Sequence, residues 1–239
     1  VGFTPDVKEK VSVLTISDIE KLKSVIKKSK RPLIVVGSGV KLSNTEKQVI
    51  KFIKKVDIPI VTTWSTVDMF ESDFEQLIGN FGVSANRPGN FAVQSCDLLI
   101  SLGSRLDTHM TGSNAATFSP GSFKVMVDID QSEIYKENGL VVDLPINNNL
   151  STFFDQVLQE VFPIGDILRW RNRINTWKVK YPICLPEYFN EKGFVNPYVF
   201  MDLLSKMTRK NSIIITDTGG TLTWTMQGYE PKVSQQLFS

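Results

Sequence analysis

The chain contains a short apolar run that ends in glycines, Leu33-Ile34-Val35-Val36-Gly37-Ser38-Gly39. Four consecutive apolar residues followed by a turn are typical of a β-strand that is covered on both faces. A second run of this kind, Asp97-Leu98-Leu99-Ile100-Ser101-Leu102-Gly103, follows later in the chain. Strands of this type occur mainly in parallel sheets with helices on both faces, so the two runs predict an α/β fold.

The residues around these runs extend the pattern in both directions. Further strands are predicted at 58–62, 123–128 and 140–143. Helices are predicted at 19–30, 43–56, 88–95 and 151–161, the first two introduced by capping boxes of Ser17 with Glu20 and of Ser43 with Glu46. Because strands and helices alternate, we expect an open, mostly parallel sheet with helices on both faces.

The chain is divided by a stretch in which hydrophobic residues do not recur at a regular spacing. Residues 162–193 read as a connector, and Asn196 before Pro197 then predicts the start of a helix. A buried strand is expected at 212–216, followed by the turn Asp217-Thr218-Gly219-Gly220-Thr221. We therefore predict a linker and lead-in helix at 1–30, a central domain at 31–161, a connector at 162–193 and the truncated start of a second α/β domain at 194–239. The chain begins with Val1 rather than methionine, so a fragment with both flanks missing is expected.

Composition excludes several classes of function. The 239 residues are 41% hydrophobic and 22% charged, with a net charge of +2, one histidine and two cysteines. A lone histidine, His109, excludes histidine-rich zinc sites and allows a Ser/His/Asp triad only with His109 at its centre. Cys96 and Cys184 match no metal-binding spacing and are expected to be reduced core thiols of a cytoplasmic protein. No apolar run reaches the ~20 residues of a membrane span, so neither membrane insertion nor secretion is expected.

A short cluster of positively charged residues is the only sequence feature that suggests nucleic-acid binding. It consists of Lys27, Lys28, Lys30 and Arg31. These residues lie where the first helix would end, and cations there complement the helix dipole. We therefore expect no nucleic-acid partner.

The predicted strands end in small or acidic residues. Glycines let a ligand approach the backbone and carboxylates can accept hydrogen bonds from ribose hydroxyls, while ordinary turns use the same residue types. Ligands of open α/β sheets bind at the carboxyl ends of the strands, so the recurrence favours a nucleotide-like ligand. The first loop, Gly37-Ser38-Gly39, lacks the third glycine of a dinucleotide fingerprint, which argues against a nicotinamide-dependent oxidoreductase.

Several motifs together resemble a known family. They are Gly79-Asn80-Phe81-Gly82, Asn90-Phe91-Ala92-Val93, Ser95-Cys96-Asp97-Leu98-Leu99-Ile100, Gly103-Ser104-Arg105-Leu106-Asp107, Thr111-Gly112 and Val127-Asp128-Ile129-Asp130. Their order and spacing over 31–161 resemble the central domain of thiamine-diphosphate enzymes of the acetolactate synthase type. Residues 216–221, with Trp224 and Gln227, are similar to the first turn of that family's diphosphate-binding domain. The stretch 87–94 also resembles members of surface-polysaccharide pathways, and both branches stay open.

The resemblance implies a decarboxylase or carboligase that takes a 2-oxo acid such as pyruvate and transfers a two-carbon unit to a carbonyl acceptor. It implies thiamine diphosphate bound by Asp217, Thr218, Gly219, Gly220 and Thr221. In the central domain it implies FAD in a structural role, another nucleotide such as ADP, or no ligand. The residues that would bind the FAD or nucleotide are Gly37, Gly39, Gly79, Gly82, Gly103, Ser104, Arg105, Asp107, Asp128, Asp130 and Asp143. His109 would line the substrate channel or face solvent. Arg105 would clamp a phosphate, with a salt bridge to Asp107 or Asp97 as the alternative.

The same resemblance limits what this chain can do alone. Acetolactate synthases carry glutamine and histidine where this chain has Gly220 and Thr221, so the backbone must hold the diphosphate. The ligands of Mg²⁺ are expected mostly outside this chain, because Asp217 alone cannot complete an octahedral oxygen shell. No catalytic residue is assigned within the chain. We expect the isolated chain to be inactive and to bind thiamine diphosphate poorly, and the whole protein to be a homodimer or homotetramer.

Two alternatives belong to other classes. A sirtuin-like deacylase would need four zinc-binding cysteines and a catalytic histidine, which this composition does not supply. A nucleotide-binding or oligomerisation module without chemistry of its own would show the same strand-end residues. The sequences that flank this chain would distinguish that module from an enzyme.

Overall fold

The computed structural model describes residues 14–232 and 234–239, so the predicted linker before Leu14 lies outside the described residues. A six-stranded sheet forms the centre, with strand order β3-β2-β1-β4-β5-β6 and parallel pairing throughout. Its strands are β1 Pro32–Val36, β2 Ile60–Thr62, β3 Leu77–Asn80, β4 Leu98–Leu102, β5 Phe123–Asp128 and β6 Leu144–Asn147. A second sheet pairs β7 Ile213–Ile215 with β8 Gln236–Phe238 in parallel.

Helices cover the central sheet on both faces, which confirms the predicted fold class. They are α1 Ile16–Lys28, α2 Gly39–Leu42, α3 Glu46–Val56, α4 Arg87–Ser95, α5 Thr108–Thr111, α6 Gln131–Ile134, α7 Leu150–Val157, α8 Leu168–Lys180, α9 Pro197–Met207 and α10 Gly220–Gly228. Short 3₁₀ helices lie at Trp64–Met69, Ala115–Thr117 and Pro186–Asn190. Within the described residues, no helix has the length and apolar character needed to cross a membrane.

The apolar strands divide their side chains between two cores. Ile34 and Val36 of β1 pack with residues of α1, α3 and α7, whereas Leu33 and Val35 pack with residues of α4 and α8. Phenylalanines fill the first core, with Phe52 6.3 Å from Phe153 between ring centroids. Because successive side chains of a strand point to opposite faces, a continuous apolar run serves both cores.

Both predicted capping boxes are wrong in position. Thr15 and Asp18 form the capping box of α1, in which the Thr15 hydroxyl accepts from the Asp18 N–H at 3.1 Å. The residue before α3 is Thr45, and its side chain makes no capping bond. Ser43 instead ends α2, where its hydroxyl donates to the Gly39 carbonyl at 2.6 Å. The last predicted helix of the central part begins at Leu150, after the cap residue Asn149.

Two strand predictions fail at the edges of the sheet. β3 at 77–80 was not predicted, because its Leu-Ile-Gly-Asn sequence has only two apolar residues. The strand expected at 140–143 is wrong, since the paired residues are 144–147, with Leu144 opposite Val125. Val141 is exposed although apolar.

The predicted connector contains a regular helix. Thirteen of its residues form α8, and only Trp170 and Ile174 of this helix are buried. The indole Nε1 of Trp170 donates to the Pro32 carbonyl at 3.0 Å, which ties α8 to the start of β1. The helix carries many charged residues, and its weak hydrophobic period explains why it was not predicted.

The last part of the chain begins as expected and then differs. Asn196 caps α9, with Pro197 as the first helical residue. The strand after α9 forms but is not buried, because Ile213 is 63% and Ile215 79% exposed. The core of this part is small and is centred on Met226, Tyr229 and Leu237.

Candidate functional site

The carboxyl ends of the six parallel strands meet at one edge, and a cavity of about 670 Å³ lies there. Its lining residues are Ser38, Lys41, Leu42, Thr63, Trp64, Ser65, Ser104, Arg105, Leu106, Asp107, His109, Met110, Met226, Leu237, Phe238 and Ser239. Such an edge is the expected ligand position of an open α/β sheet. Of the predicted nucleotide-binding residues, Ser104, Arg105 and Asp107 line this cavity, as does the predicted channel residue His109.

Three of the predicted glycines pack against one another. A Cβ atom on Gly37 would lie 2.4 Å from the Gly103 carbonyl oxygen, and one on Gly39 would lie 2.8 Å from the Gly103 Cα. The Gly39 N–H donates to the Gly103 carbonyl at 2.9 Å. The loops after β1 and β4 therefore touch through their backbones, and close packing alone accounts for these glycines.

The other two predicted glycines also have close neighbours. Gly79 is the third residue of β3, and with φ +136° its Cβ would lie 2.0 Å from the Asn86 amide nitrogen. Gly82 has φ +109°, and its Cβ would lie 2.7 Å from the His109 carbonyl oxygen. Asn86 caps α4 by accepting from the Gly89 N–H at 2.9 Å. Both glycines thus make room for the cap of α4 and for the loop beside His109.

Arg105 and Asp107 form an ion pair at the rim of the cavity. The Arg105 Nε lies 3.5 Å from the Asp107 carboxylate, and Nη1 lies 4.0 Å from the Glu133 carboxylate. Asp107 also caps α5 by accepting from the His109 N–H at 2.9 Å. The salt bridge to Asp107 is present, and the exposed guanidinium still lines the cavity. The Ser104 hydroxyl is buried and accepts from the Leu106 N–H at 3.4 Å.

The other three aspartates predicted for the nucleotide site do not lie together. Asp128 ends β5 and accepts from the Asp130 N–H at 3.0 Å, and burial raises the pKa of its carboxyl. Asp130 caps α6 by accepting from the Ser132 N–H at 2.8 Å. The expectation that Asp143 follows a strand is wrong, because Asp143 precedes β6 at the opposite, amino edge. There its carboxylate accepts from the Lys124 N–H at 2.8 Å.

Among the cavity residues that were not predicted, Trp64 and Lys41 carry a hydrogen-bond donor or a charge. Trp64 follows β2, and its ring centroid lies 5.2 Å from that of His109, whose side chain is 63% exposed. Among the described residues, no acceptor lies within reach of the buried Trp64 Nε1. Lys41 also lines the cavity and pairs with Asp68 at 2.5 Å. Their only signal in sequence is that each follows a strand end by a few residues.

The predicted diphosphate turn is open. Residues 217–221 are exposed, and Gly219, with φ +74°, precedes the nine-residue helix α10. A Cβ atom on Gly219 would meet no atom of the described residues within 4 Å. The first N–H groups of a helix have no partner within the helix and can donate to an anion. The Asp217 carboxylate accepts from the Thr218 N–H at 2.7 Å.

Helix α10 is bonded to the loop after β3. The Thr223 hydroxyl lies 3.1 Å from the Ser84 hydroxyl, and the Gln227 amide donates to the Ala85 carbonyl at 3.1 Å. The buried Asn80 amide donates to the last turn of α10 at 2.8 Å. The open turn is thus held against the carboxyl edge of the central sheet.

Comparison with known proteins agrees with this arrangement. A sequence model described as "Thiamine pyrophosphate enzyme, central domain" matches residues 19–157, which is more than half of the chain. The chain belongs to the thiamine pyrophosphate enzyme family. This confirms the resemblance seen in the sequence, and the central sheet is that family's central domain.

Curated relatives carry acetolactate synthase names. The large subunit of Pyropia yezoensis is 28% identical over 220 residues, covering 90% of this chain and 36% of that protein. The Lactococcus lactis subsp. lactis large subunit is 27% identical, covering 94% and 38%. Acetolactate synthase 2, chloroplastic, of Brassica napus is 27% identical, covering 94% and 34%. This thiamine pyrophosphate enzyme chain therefore spans about a third of the length of these relatives.

The residues of this thiamine pyrophosphate enzyme chain fit its family's cofactors unequally. The open turn at Gly219 fits a diphosphate, because space and unpaired helix N–H groups coincide there. The cavity is compatible with an anionic ligand, since the cationic residues Lys41 and Arg105 line it. Magnesium fits less well, because residues 14–232 and 234–239 contain no group of three histidine, cysteine or acidic residues that could hold a metal.

Proposed function

We propose that this chain is part of a thiamine-diphosphate-dependent carboligase that decarboxylates a 2-oxo acid such as pyruvate and transfers the two-carbon unit to a carbonyl acceptor. The family match and the acetolactate synthase names of the relatives support this reaction class. The observation that carries the proposal is the open glycine turn at the start of α10, held against the family's central domain.

The chain's own residues contribute binding and position. When bound, thiamine diphosphate supplies a ring that accepts the electrons released when a 2-oxo acid loses carbon dioxide. The backbone N–H groups of Gly219, Gly220 and Thr221 would hold the diphosphate, assisted by the Thr218 and Thr221 hydroxyls. Asp217 alone cannot complete the octahedral oxygen shell of Mg²⁺, so the ligands of Mg²⁺ would come from residues outside those described.

We assign the cavity at the carboxyl edge to FAD or another nucleotide. Arg105 can clamp a phosphate, and Ser104 and Asp107 line the cavity beside it. Gly37, Gly39 and Gly103 would act indirectly by keeping two loops in contact. The other residues of the proposal are Gly79, Gly82, Asp128 and Asp130, which shape the neighbouring loops. Asp143 is not part of it, because it lies at the opposite edge.

Other features stay predictions. His109 lines the cavity and would face a substrate channel in the whole enzyme. Assembly as a homodimer or homotetramer and a cytoplasmic location also stay predictions, and the Brassica napus relative is named chloroplastic.

The test uses the longest natural polypeptide that contains this chain, with thiamine diphosphate, Mg²⁺ and pyruvate. We expect release of carbon dioxide and a new carbon–carbon bond in the product, detected by mass spectrometry. Gly219→Ala strains a backbone at φ +74° by about 1–3 kcal/mol. The thiamine diphosphate concentration for half-maximal rate should therefore rise about tenfold.

Gly121→Ala is the matched control, because a Cβ atom there meets nothing within 4 Å and no left-handed φ is imposed. The proposal fails if no 2-oxo acid is decarboxylated, or if Gly219→Ala and Gly121→Ala behave alike. A separate titration of the 239-residue chain should show no saturable micromolar binding of thiamine diphosphate. Saturable binding there would refute the expectation of a weak isolated site.

A further inference from the structure

A second large cavity lies at the amino edge of the central sheet, away from the cofactor edge. It encloses about 820 Å³ between the start of β1, the end of α4 and one face of α8. Its lining residues are Lys30, Arg31, Ser95, Asp166, Arg169, Trp170, Arg173 and Trp177. We call it the basic groove. Its volume falls in the range of small-molecule sites in proteins, about 300–1,000 Å³.

The groove concentrates positive charge. Four of its lining residues are cationic and one, Asp166, is acidic, which gives +3 at the groove against +2 for the whole chain. Within the described part of the chain, Lys30, Arg31, Arg169 and Arg173 form no ion pair with a carboxylate. Like charges that share one cavity repel, and a bound anion would relieve that repulsion.

Asp97, an acidic residue that is bonded to the turn at Lys30 and Arg31, is already engaged with the backbone. The Asp97 carboxylate accepts from the N–H groups of Lys30 and Arg31 at 2.9 Å each, and also from the Ser29 hydroxyl. Arg31 donates from Nε to the Ser95 carbonyl at 2.6 Å, and a guanidinium has five N–H donors. The turn that carries two of the cations is therefore fixed, while most of their side-chain donors remain available.

Helix α8 supplies a rigid wall. Arg169 and Arg173 are four residues apart and so lie on one face of the helix. Trp170 is anchored to the Pro32 carbonyl, and its ring contacts that of Trp177 at 5.7 Å between centroids. The Arg173 guanidinium lies 5.7 Å from the centroid of the Trp177 ring. Arg173 is thus held against an anchored pair of tryptophan rings, which lowers the entropy that it loses on binding.

We propose that the basic groove binds a small phosphorylated molecule with two or more phosphate groups, such as a nucleoside triphosphate. Arginine side chains match phosphate oxygens with paired hydrogen bonds, and Lys30 adds a further charge. This site is distinct from the open turn at Gly219 and from the cavity at the carboxyl edge. The sequence group at 27–31 therefore has two roles, because Lys27 and Lys28 lie in the last turn of α1 while Lys30 and Arg31 line the groove.

Calorimetric titration of the 239-residue chain with ATP, and separately with inorganic pyrophosphate, tests the proposal without added magnesium. We expect saturable binding that depends on Arg169 and Arg173 and weakens as sodium chloride is added. The double variant Arg169→Gln/Arg173→Gln should weaken binding at least about tenfold, because two charge-assisted contacts are lost. Circular dichroism checks that the variant keeps its fold. Lys30→Gln, a change outside any helix, should weaken the binding of ATP by about threefold. It replaces the double variant in the test if the double variant does not fold.

Two controls separate the groove from other sites. Arg209→Gln removes one positive charge, as Lys30→Gln does, from an exposed position outside the groove, and Gly219→Ala alters the diphosphate turn. Neither should change the affinity for ATP. The proposal is overturned if ATP shows no saturable binding, or if Arg209→Gln lowers the affinity for ATP as much as the groove variants do. The same holds if only Gly219→Ala lowers that affinity. It is also overturned if a single-stranded RNA oligonucleotide binds more tightly than ATP and depends on the same arginines.

Discussion

Gly37→Ala tests whether the glycines of the carboxyl edge serve packing. The new Cβ atom would lie 2.4 Å from the Gly103 carbonyl oxygen and 2.5 Å from the Ser104 Cβ. Ordinary contacts are about 3.5 Å, so the loop after β4 would have to move by about 1 Å. That movement stretches the 2.9 Å bond from the Gly37 N–H to the Leu102 carbonyl. Overpacking costs about 1–3 kcal/mol and a weakened hydrogen bond adds about 1 kcal/mol.

We therefore expect Gly37→Ala to lower the free energy of unfolding by about 2–4 kcal/mol, or Tm by about 5–10 °C. Urea unfolding of the ligand-free chain, followed by circular dichroism, measures this difference. Gly121→Ala has open space around the new Cβ and should stay within about 0.5 kcal/mol of the parent chain. If Gly37 were needed only to let a ligand approach, its replacement by alanine would not change the free energy of unfolding of the ligand-free chain. Equal stabilities of Gly37→Ala and Gly121→Ala would refute the packing argument.

Four further predictions concern other buried side chains. Asp68→Ala should lower the free energy of unfolding by about 1–3 kcal/mol, since a lysine and the backbone of β8 lose their acceptor, whereas the exposed Asp73→Ala should have little effect in urea unfolding. Burial raises the pKa of Cys96 to about 11, so at pH 8 mass spectrometry should find iodoacetamide on the half-buried Cys184 and not on Cys96. Because the folded chain disfavours the Cys96 thiolate, its free energy of unfolding should be highest below the ordinary thiol pKa of about 9. It should fall as the pH rises from about 9 towards 11. Trp170→Phe should lower the free energy of unfolding by about 1 kcal/mol, because its bond to the β1 backbone is lost.

The central strands could be predicted because their signal is local. β1 and β4 supply apolar side chains to both cores, and Val125 and Val127 of β5 supply the first core, so each buried face has its own set of side chains. The edge strands β3 and β6 have one strand neighbour each and carry glycine or proline. Glycine and proline are tolerated in the edge strands of a sheet, and they also occur in loops. The sequences of β3 and β6 therefore resemble loops.

The burial of a side chain could not be predicted from the sequence where it depends on distant helices and strands that pack against it. Ile213, Ile214 and Ile215 read as a buried strand, yet two of the three are exposed because no helix of the described chain covers that side of β7. α8 shows the reverse case. It is rich in charge, but Trp170 and Ile174 are buried because the sheet lies beneath them.

Glycine shows why part of the site could be predicted and part could not. Whether Gly219 leaves space for a ligand depends mainly on its own turn, where φ is +74° and no atom of the described residues approaches a Cβ. Whether Gly37 leaves space depends on Gly103, which is distant in sequence and meets it only after β1 and β4 pair. A local pattern treats these glycines alike. The fold separates them, because one faces open space and the other supports the contact between two loops.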